Sequence, residues 1–545
     1  MGVRGLMTFL EEYCPNGYSD IRIADLVEEC RLATGRRQEI VVDGNACYSM
    51  WTDGLDWTIG LPVGEIKSRL KRFVDAFQGI GADLVFFFDG LTPWKKRNTW
   101  LKRREKSMEK MVYVYKNLLE RTPFSDLPSN LYIPPNMTNF VTYVLKHELN
   151  CKVYVAVREC DEEIVDYVQE NGNSIIFTHD TDFIVSYIHS YVLSAKHFNC
   201  DEMTTRMYDR RALNEYLNLR ADQLPYLAIL AANDLVDQQS VRPLHFRLTG
   251  RRFKKNVPYK ILMKALAQYI NYDLPWHVSS NNHMRIISSD MFGSRLQTPF
   301  LRMAYKSYFP KRRTQILLDK ILIRAEELMQ NVILPVTAWG ILSAYIYESN
   351  PVLEDYRVEW NYWACATITR PLRERLYGIL LFEKRNVSRP VVEWCAENWW
   401  SYRQSVLVYP QYPSAHHPGL LALWNENLAD THYGHKWALF LEAVSPNIED
   451  IEGWMSLPDD FVISTAVCHY LFEEEYLTKN ELRALLVTLV LYESYNSNNG
   501  RQMWDGTPYL RARQISVTFS RTYSLMFTLF ASCGYPVHLS KVRMV

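Results

Sequence analysis

The segment IVVDGNA at residues 40–46 decides the fold, because it ends a run of β-branched residues with an acid and a glycine. The same arrangement recurs in LVFFFDG at residues 84–90 and, without the glycine, in SIIFTHDTDF at residues 174–183. A short apolar run closed by polar residues predicts a buried strand. Three such strands predict a sheet with covered faces, and ligands bind beyond the carboxyl ends of the strands in sheets of this kind.

Helical periodicity fills the intervals between these strands. Residues 64–81, GEIKSRLKRFVDAFQGIG, place apolar side chains on one face and end in glycines. A basic helix is predicted at 96–121, and a further helix at 161–172 separates strands at 152–157 and 174–178. This alternation predicts an α/β fold in which a mostly parallel sheet is flanked by helices.

A change of pattern after about residue 240 predicts a domain boundary. The chain has 545 residues, which is too long for one ordinary core. We expect residues 1–240 to form the α/β domain and residues 241–545 to form a mainly α-helical domain that binds protein partners. In that second half, the histidines lack acidic or cysteine companions in the sequence, so no zinc site is predicted for His416, His417, His432 and His435.

Composition excludes several classes of protein. Charged residues make up 22% of the chain and the net charge is zero, so only local patches can indicate a charged partner. The ten cysteines form no CxxC pair, which argues against a disulfide framework and favours a reducing compartment. The apolar runs are too short to span a bilayer. We therefore expect a protein of the nucleus, the cytoplasm or both, without a membrane partner.

Seven carboxylates fall where the chain turns off the predicted strands. Mg²⁺ and Mn²⁺ prefer oxygen ligands, and two such ions about 4 Å apart stabilise the attacking and leaving oxygens of a phosphodiester. Taken singly, each acid could instead cap a helix or close a turn. The pair Asp180 and Asp182 is the most specific part, because two adjacent acids repel unless a cation lies between them. The seven are Asp43, Asp89, Glu159, Asp161, Asp180, Asp182 and Asp234.

A local excess of positive charge follows the second strand. From Thr92 to Arg121 the chain has ten Lys and Arg residues against three Glu, and Trp94 and Trp100 lie among them. Cations interleaved with aromatic rings are typical of surfaces that bind unpaired nucleic acid. The alternative is a solvated helix whose tryptophans pack on the sheet. Two further basic stretches, at 251–255 and 310–313, are interpreted as a solvated linker and as ordinary surface.

Several motifs together resemble the flap-endonuclease/XPG superfamily of structure-specific nucleases, whose core is a PIN-like α/β domain. Within it the sequence is most similar to the constitutive coactivator of PPAR-gamma and asteroid families. The resemblance covers residues 1–240 and rests on MGVRGL (1–6), VVDGNACY (41–48), VFFFDG (85–90), RECDEE (158–163), THDTD (178–182), AAND (231–234) and IPP (133–135).

The resemblance implies roles for individual residues. The seven carboxylates would bind two Mg²⁺ or Mn²⁺ ions, Lys96 and Arg103 would place cations near the scissile phosphate, and Gly2 would pack near the active site. With Gly2, the residues expected to contact nucleic acid are Trp94, Lys95, Arg97 and Arg104.

One part of the superfamily pattern is missing, because no G-x-G follows the last acid. The resemblance therefore leaves two functions open. One is a metal-dependent nuclease acting on RNA or structured DNA, and the other is a non-catalytic RNA-binding scaffold or coactivator that keeps the fold.

Overall fold

The computed structural model describes most of the chain, namely residues 2–59, 62–124, 127, 136–172, 175–250, 257–275, 278–310, 319–357, 364–387, 389–398, 400–401, 403–425, 432–496 and 509–538. The IPP motif at 133–135 and the basic stretches at 251–255 and 311–313 lie outside these residues. The described strands are β1 (Tyr18–Arg22), β2 (Gln38–Asp43), β3 (Ala82–Phe88), β4 (Lys152–Val155), β5 (Ile175–Thr178), β6 (Tyr191–Ser194), β7 (Thr204–Tyr208), β8 (Ile346–Glu348), β9 (Val391–Trp394) and β10 (Val406–Val408).

Helices occupy most of the remaining described chain. They are α1 (Leu6–Glu12), α2 (Ile23–Thr34), α3 (Gly44–Thr52), α4 (Val63–Gly79), α5 (Arg97–Leu119), α6 (Met137–Tyr143), α7 (Cys160–Asn171), α8 (Asp182–Val185), α9 (Arg210–Leu217), α10 (Leu224–Ala231), α11 (Gln238–Thr249), α12 (Tyr259–Tyr272), α13 (Ser280–Phe292), α14 (Thr298–Lys306), α15 (Lys320–Gln330), α16 (Val336–Ala344), α17 (Cys365–Ile368), α18 (Arg370–Leu380), α19 (Leu420–Leu423), α20 (Tyr433–Val444), α21 (Ile451–Met455), α22 (Val462–Glu473), α23 (Lys479–Asn496) and α24 (Leu510–Ser532). Within the described residues, no helix combines the length and apolar character that crossing a membrane requires.

The chain folds into two compact units built from separate segments. The first unit contains residues 1–50, 72–99 and 156–315, and the second contains residues 51–71, 100–155 and 316–545. The sequence prediction placed a single boundary at about residue 240. In the structure, each unit is built from three segments that alternate along the chain. Helices α11 to α14, which follow residue 237, belong to the first unit.

The first unit contains the predicted α/β sheet. Its strands lie in the order β1-β7-β6-β5-β2-β3. Strand β2 runs parallel to β3 and to β5, and β5 runs parallel to β6. Strand β7 is antiparallel to both β6 and β1. The prediction of a mostly parallel sheet flanked by helices is confirmed, and the antiparallel edge is an addition to it.

Strand register determines where the acids collect. Asp43 at the end of β2 pairs with Phe87 of β3, so Asp89 follows on the same face two residues later. On the other side of β2, Val42 pairs with Phe177, which places Thr178 beside Asp43. Because parallel strands end at the same edge, the turns after β2, β3 and β5 meet there.

Aromatic side chains fill the core behind this edge. Phe73 on α4 contacts Phe77, Phe86 and Phe177, with ring centroids 4.8 to 6.2 Å apart. Phe198 closes the cluster, 5.2 Å from Phe177. All strand positions from Leu84 to Phe88 are buried, as expected for a strand that is covered on both faces. The rigid core therefore fixes the strand ends that carry the acids.

The second unit is mainly helical, as predicted, but it also contains a small sheet in the order β10-β9-β8. The long helix α24 is buried along most of its length. Beside the sheet, the guanidinium of Arg373 makes two hydrogen bonds to the carboxylate of Glu393, at 2.7 and 2.9 Å. The Tyr377 hydroxyl donates to the same carboxylate at 2.5 Å. This fully buried pair is balanced, because each charge has partners inside the fold.

Candidate metal centre

Three carboxylates meet at the carboxyl edge of the sheet in the first unit. Asp161 lies in the first turn of α7, Asp180 lies in the turn after β5, and Asp182 begins α8. One oxygen from each lies within 4.8 Å of the others. Since carboxylate oxygens are the ligands that Mg²⁺ and Mn²⁺ prefer, this set has the chemistry of a divalent-cation site.

The turn between β5 and α8 is held by its own hydrogen bonds. The backbone N–H of Asp180 donates to the Thr178 hydroxyl at 3.0 Å, and the N–H of Asp182 donates to Asp180 Oδ1 at 3.0 Å. Arg210 donates to the carbonyl oxygens of Phe183 and Ile184 at 2.8 and 2.7 Å. These bonds fix the short helix α8 and hold both acids of the turn.

Asp43 is buried at the end of β2 beside this turn. Its carboxylate accepts hydrogen bonds from the Thr178 hydroxyl at 2.8 Å and from the N–H of Ala46 at 3.2 Å. Burial, followed by the neighbouring charge of Asp89, raises the pKa of Asp43 to about 7. Without a cation, this carboxyl therefore holds a proton over part of the neutral range.

Burial and neighbouring charges also disfavour the ionised form of two other acids in the cluster. Burial, followed by the charge of Asp180, raises the pKa of Asp182 to about 8. Burial also raises the pKa of Asp161 well above its usual range, although the ammonium of Lys96 opposes that rise. Carboxyls that resist ionisation together are stabilised by a cation placed among them.

A lysine supplies part of that positive charge. Lys96 forms an ion pair with Glu159 and lies 3.7 Å from Asp161 Oδ2. Burial alone would lower the pKa of Lys96, but the carboxylates of Asp161 and Glu159 raise it above its usual value. Its neighbour Lys95 bonds to Glu162 at 2.7 Å. Both lysines therefore face carboxylates of α7 and its N-cap.

Asp234 reaches the same cleft from the loop after α10. The Asn233 side chain accepts from the N–H groups of Leu235 and Val236 at 2.9 and 2.7 Å, which closes the loop around Asp234. Asn233 also donates to the hydroxyl of Tyr308 at 2.7 Å. That hydroxyl donates in turn to Asp182 Oδ1 at 3.0 Å.

Sequence reasoning missed Asn233 and Tyr308. Asn233 is part of the AAND motif, where only the acid was assigned a role. Tyr308 lies 126 residues after the aspartate it contacts, and no motif marks it. Only the folded chain brings these side chains to Asp182.

The N-terminal glycine packs directly on the acidic turn. Gly2 has φ +64°, and a Cβ added to it would lie 2.0 Å from Asp180 Oδ1 and 2.7 Å from the Thr181 hydroxyl. The next residue, Val3, donates its N–H to that hydroxyl at 2.8 Å. The expectation that Gly2 lies near the acids agrees with this position, and its contact with nucleic acid stays a prediction.

The remaining predicted residues lie in different environments. Asp89 is exposed after β3, with its N–H bonded to Asn45 at 2.9 Å. Trp94 is 74% exposed. Arg103 is half-buried on the part of α5 that belongs to the second unit, so its role at the scissile phosphate stays a prediction.

Two of the arginines expected to bind nucleic acid are inside the fold. Arg97 is 5% exposed and Arg104 is 4% exposed. Arg97 lies over the ring of Trp94, 5.9 Å from its centroid. Arg104 lies over the ring of Trp100 and donates to the carbonyl of Ser349. Both guanidiniums are buried in this structure, and their contact with nucleic acid stays a prediction.

A small open cleft at this edge of the sheet is lined by two of the three acids, Asp161 and Asp182. Its wall includes cations, carboxylates and four neutral polar side chains. The residues that determine its chemistry are Lys95, Lys96, Asp161, Asp182, Asp234 and Tyr308. A phosphate entering this cleft would meet both lysines and the acidic cluster. The arrangement can hold a hard cation next to a phosphodiester.

Comparison with known proteins identifies relatives that match up to half of the chain, although no family model matches it. The chain is 31% identical over 241 residues to the constitutive coactivator of peroxisome proliferator-activated receptor gamma of Bos taurus, a match that covers 44% of this chain and 34% of that protein. The Mus musculus protein of the same name is 30% identical over 277 residues, with 50% and 35% covered. The chain thus spans about a third of these relatives, and the resemblance to this coactivator group is confirmed.

The similarity to solved structures is distant. The catalytic core of Rad2 in complex with a DNA substrate is 14% identical, with a TM-score of 0.32, and the match covers 60% of this chain and 94% of that one. Human GEN1 in complex with Holliday junction DNA is 14% identical, with a TM-score of 0.33 and coverage of 69% and 80%. Likeness at this level says nothing about the activity of this chain.

Proposed function

We propose that the first unit is a divalent-metal-dependent nuclease that hydrolyses phosphodiester bonds in RNA or structured DNA. The observation that carries this proposal is the convergence of Asp161, Asp180 and Asp182 within 4.8 Å. Two of these acids, Asp161 and Asp182, line a cleft that also contains Lys95 and Lys96. In a purely structural trio of acids, the mutual repulsion would be offset only in part, by the ammonium of Lys96.

The residues fit Mg²⁺ or Mn²⁺ better than a softer metal. All ligand atoms of the trio are carboxylate oxygens, and the described cleft offers neither a thiolate nor an imidazole. The raised pKa values of Asp43 and Asp182 mean that a cation is needed to keep the cluster ionised at neutral pH. Bound there, the ion would supply Lewis-acid stabilisation of the charge on the phosphoryl oxygens.

The protein's own side chains would position and balance these charges. Lys96 pairs with Glu159 and Asp161, the same carboxylates that a cation would neutralise. Once they are neutralised, its ammonium can turn to a phosphate oxygen, where a fixed positive charge stabilises the developing negative charge. Tyr308 keeps Asp182 oriented through its hydrogen bond. The additional role of Arg103 at the phosphate is part of the proposal.

The nucleic acid would reach the cleft past an exposed tryptophan. Trp94 is 74% exposed and directly precedes Lys95 and Lys96 in the chain. An exposed indole can stack on an unpaired base, and this contact tolerates any sequence. The expected substrates are therefore single-stranded or junction-containing nucleic acids rather than a uniform duplex.

A second candidate function is a nucleic-acid-binding scaffold or coactivator without turnover. It is favoured by the name of the matched relatives, which are constitutive coactivators of peroxisome proliferator-activated receptor gamma. In this case the first unit keeps the cleft for binding, the mainly helical second unit binds protein partners, and the protein acts in the nucleus. Assays of nucleic-acid binding and of cleavage distinguish the nuclease from the scaffold.

The test is a cleavage assay on labelled single-stranded RNA, single-stranded DNA, duplex and flap substrates, each with Mn²⁺, with Mg²⁺ and with chelator. The nuclease proposal expects products only with metal, and it expects their loss in Asp180→Asn and Asp182→Asn. Binding of the same substrates by gel shift in chelator shows whether each variant still recognises nucleic acid. Metal-independent binding without any cleavage would support the scaffold instead.

A further inference from the structure

Three histidines that are separated in sequence meet on the second unit. The Nδ1 atoms of His432 and His435 lie 3.4 Å apart. The ring of His416 lies beside that of His435, with the centroids 4.8 Å apart. No zinc site was predicted here from the sequence, because these histidines lack acidic or cysteine companions.

The backbone on both sides of His416 is fixed. On one side, the carboxylate of Glu442 on α20 accepts from the N–H and hydroxyl of Ser414, both at 2.7 Å, and from the N–H of Ala415 at 2.8 Å. On the other side, His417 stacks on a phenylalanine ring with centroids 4.3 Å apart, and its two ring nitrogens bond to backbone groups at 3.1 and 3.0 Å. His416 is therefore held close to α20 while its own side chain stays exposed.

The other two histidines are positioned by a buried helix. His432 is the N-cap of α20 and His435 follows one turn later, so their side chains share one face. The next residue, Lys436, reaches inward and donates from Nζ to the carbonyl of Gly534 at 2.7 Å. This contact and the buried Trp437 anchor the start of the helix.

We propose that His416, His432 and His435 form a binding site for a transition-metal cation of the Zn²⁺ class. Zinc binds imidazole nitrogen at about 2.0–2.1 Å in tetrahedral geometry, which sets two ligand nitrogens about 3.3 Å apart. The observed 3.4 Å between His432 and His435 matches that spacing. Rotation of the exposed His416 side chain brings a third nitrogen to the ion, and the fourth position faces solvent.

This site differs in chemistry from the acidic cleft of the first unit. The described cleft offers carboxylate oxygens, which suit Mg²⁺ or Mn²⁺, whereas three imidazoles suit zinc, nickel or copper. A bound ion would link the loop around residue 416 to α20 and so stabilise the second unit. The inference is independent of the nuclease proposal, because it uses none of the residues of the first unit.

The test is calorimetric titration of the full chain with Zn²⁺ in buffer that contains excess Mg²⁺ to occupy the oxygen site. The compared proteins are wild type, His416→Ala, His435→Ala and the control His189→Ala, which removes an exposed histidine of the first unit. Visible absorption of Co²⁺ in place of Zn²⁺ reports nitrogen coordination directly.

We expect wild type and His189→Ala to bind one Zn²⁺ with the same affinity. Substituting a residue that hydrogen-bonds to a metal ligand typically lowers metal affinity about 10- to 100-fold. Loss of a ligand itself should therefore lower the Zn²⁺ affinity by about 100-fold or more. Because His416 is exposed, its variant should keep the fold, which circular dichroism checks. Unchanged Zn²⁺ affinity in the folded His416→Ala protein, or no saturable binding by wild type, would overturn the proposal.

Discussion

Replacing Asp182 by asparagine should make the metal-free protein more stable and the metal-bound protein less stable. The side chain is buried among like charges, and Asn keeps its shape while removing the charge. The Tyr308 hydroxyl can still donate to the amide oxygen, so the local geometry is preserved. The two effects have opposite signs, and a residue that merely closes a turn would show neither.

The size of the metal-free effect follows from the pKa of Asp182, which rises from 3.8 to about 8. Because the folded-state value lies above the unfolded-state value, the folded state loses stability as the pH rises from about 3.8 to about 8, and the loss is complete above that range. Each pKa unit corresponds to about 1.4 kcal/mol, so ionisation costs at most about 6 kcal/mol. Water that enters the cleft offsets part of this cost, and we expect Asn to recover about 1–3 kcal/mol.

The assay is thermal unfolding at about pH 5 and about pH 8.5, in chelator and in Mn²⁺. In chelator the variant should melt higher than wild type, and the difference should grow with pH. At 100 times its dissociation constant, Mn²⁺ should stabilise wild type by about 2.7 kcal/mol, or roughly 5–10 °C for a domain of this size. The variant should show little of that gain.

Asp222→Asn is the matched control, because Asp222 is an exposed carboxylate of the same unit that pairs with Arg220 at 3.0 Å. It should behave as wild type in all four conditions. Equal Mn²⁺ shifts in wild type and Asp182→Asn would refute the reasoning. So would a variant that is less stable than wild type in chelator at high pH.

Three further substitutions have definite expected outcomes. Tyr308→Phe removes a hydrogen bond to the Asp182 carboxylate and should cost about 1.5–3 kcal/mol in urea unfolding, more at high pH, where that carboxylate is ionised. Gly2→Ala places a methyl group 2.0 Å from Asp180 Oδ1, so Mn²⁺ titration should show weakened binding with little change in the circular dichroism spectrum. Arg373→Met leaves its buried glutamate partner without a counter-charge and should cost about 3–5 kcal/mol in urea unfolding, and a loss below about 1 kcal/mol would contradict a buried pair.

The strands that carry the acids were predictable because they are buried on both faces. Runs such as residues 84–88 and 175–177 are short, continuous and apolar, which is the pattern of a strand buried on both faces. Strand β1 was not predicted, because it pairs with β7 at the edge of the sheet and its exposed polar residues do not alternate with buried ones. Its hydrogen bonds come from a partner 180 or more residues away, which a local pattern cannot show.

The candidate site was predictable from the sequence in its acids, and the family resemblance also pointed to Lys96 and Gly2. Strand ends and turns mark carboxylates such as Asp43 and Asp180 locally, whereas Tyr308 reaches the site through tertiary packing alone. The basic helix shows the converse difficulty, since charge counting cannot tell which face of α5 packs inward. Arg97 and Arg104 point into the fold, while Trp94 remains exposed. Periodicity predicts which residues share one face of a helix, but it does not predict which part of the protein that face contacts.

The most direct test of the account is Mn²⁺-dependent cleavage of labelled single-stranded RNA and of a DNA flap by wild type, Asp182→Asn and Asp222→Asn at equal concentration. The account predicts products from wild type and Asp222→Asn with Mn²⁺, none in chelator, and at least a hundredfold slower cleavage by Asp182→Asn, since single groups that stabilise transition-state charge contribute about 10²–10³. Equal rates for wild type and Asp182→Asn, or intact substrates with wild type under every metal condition, would contradict it.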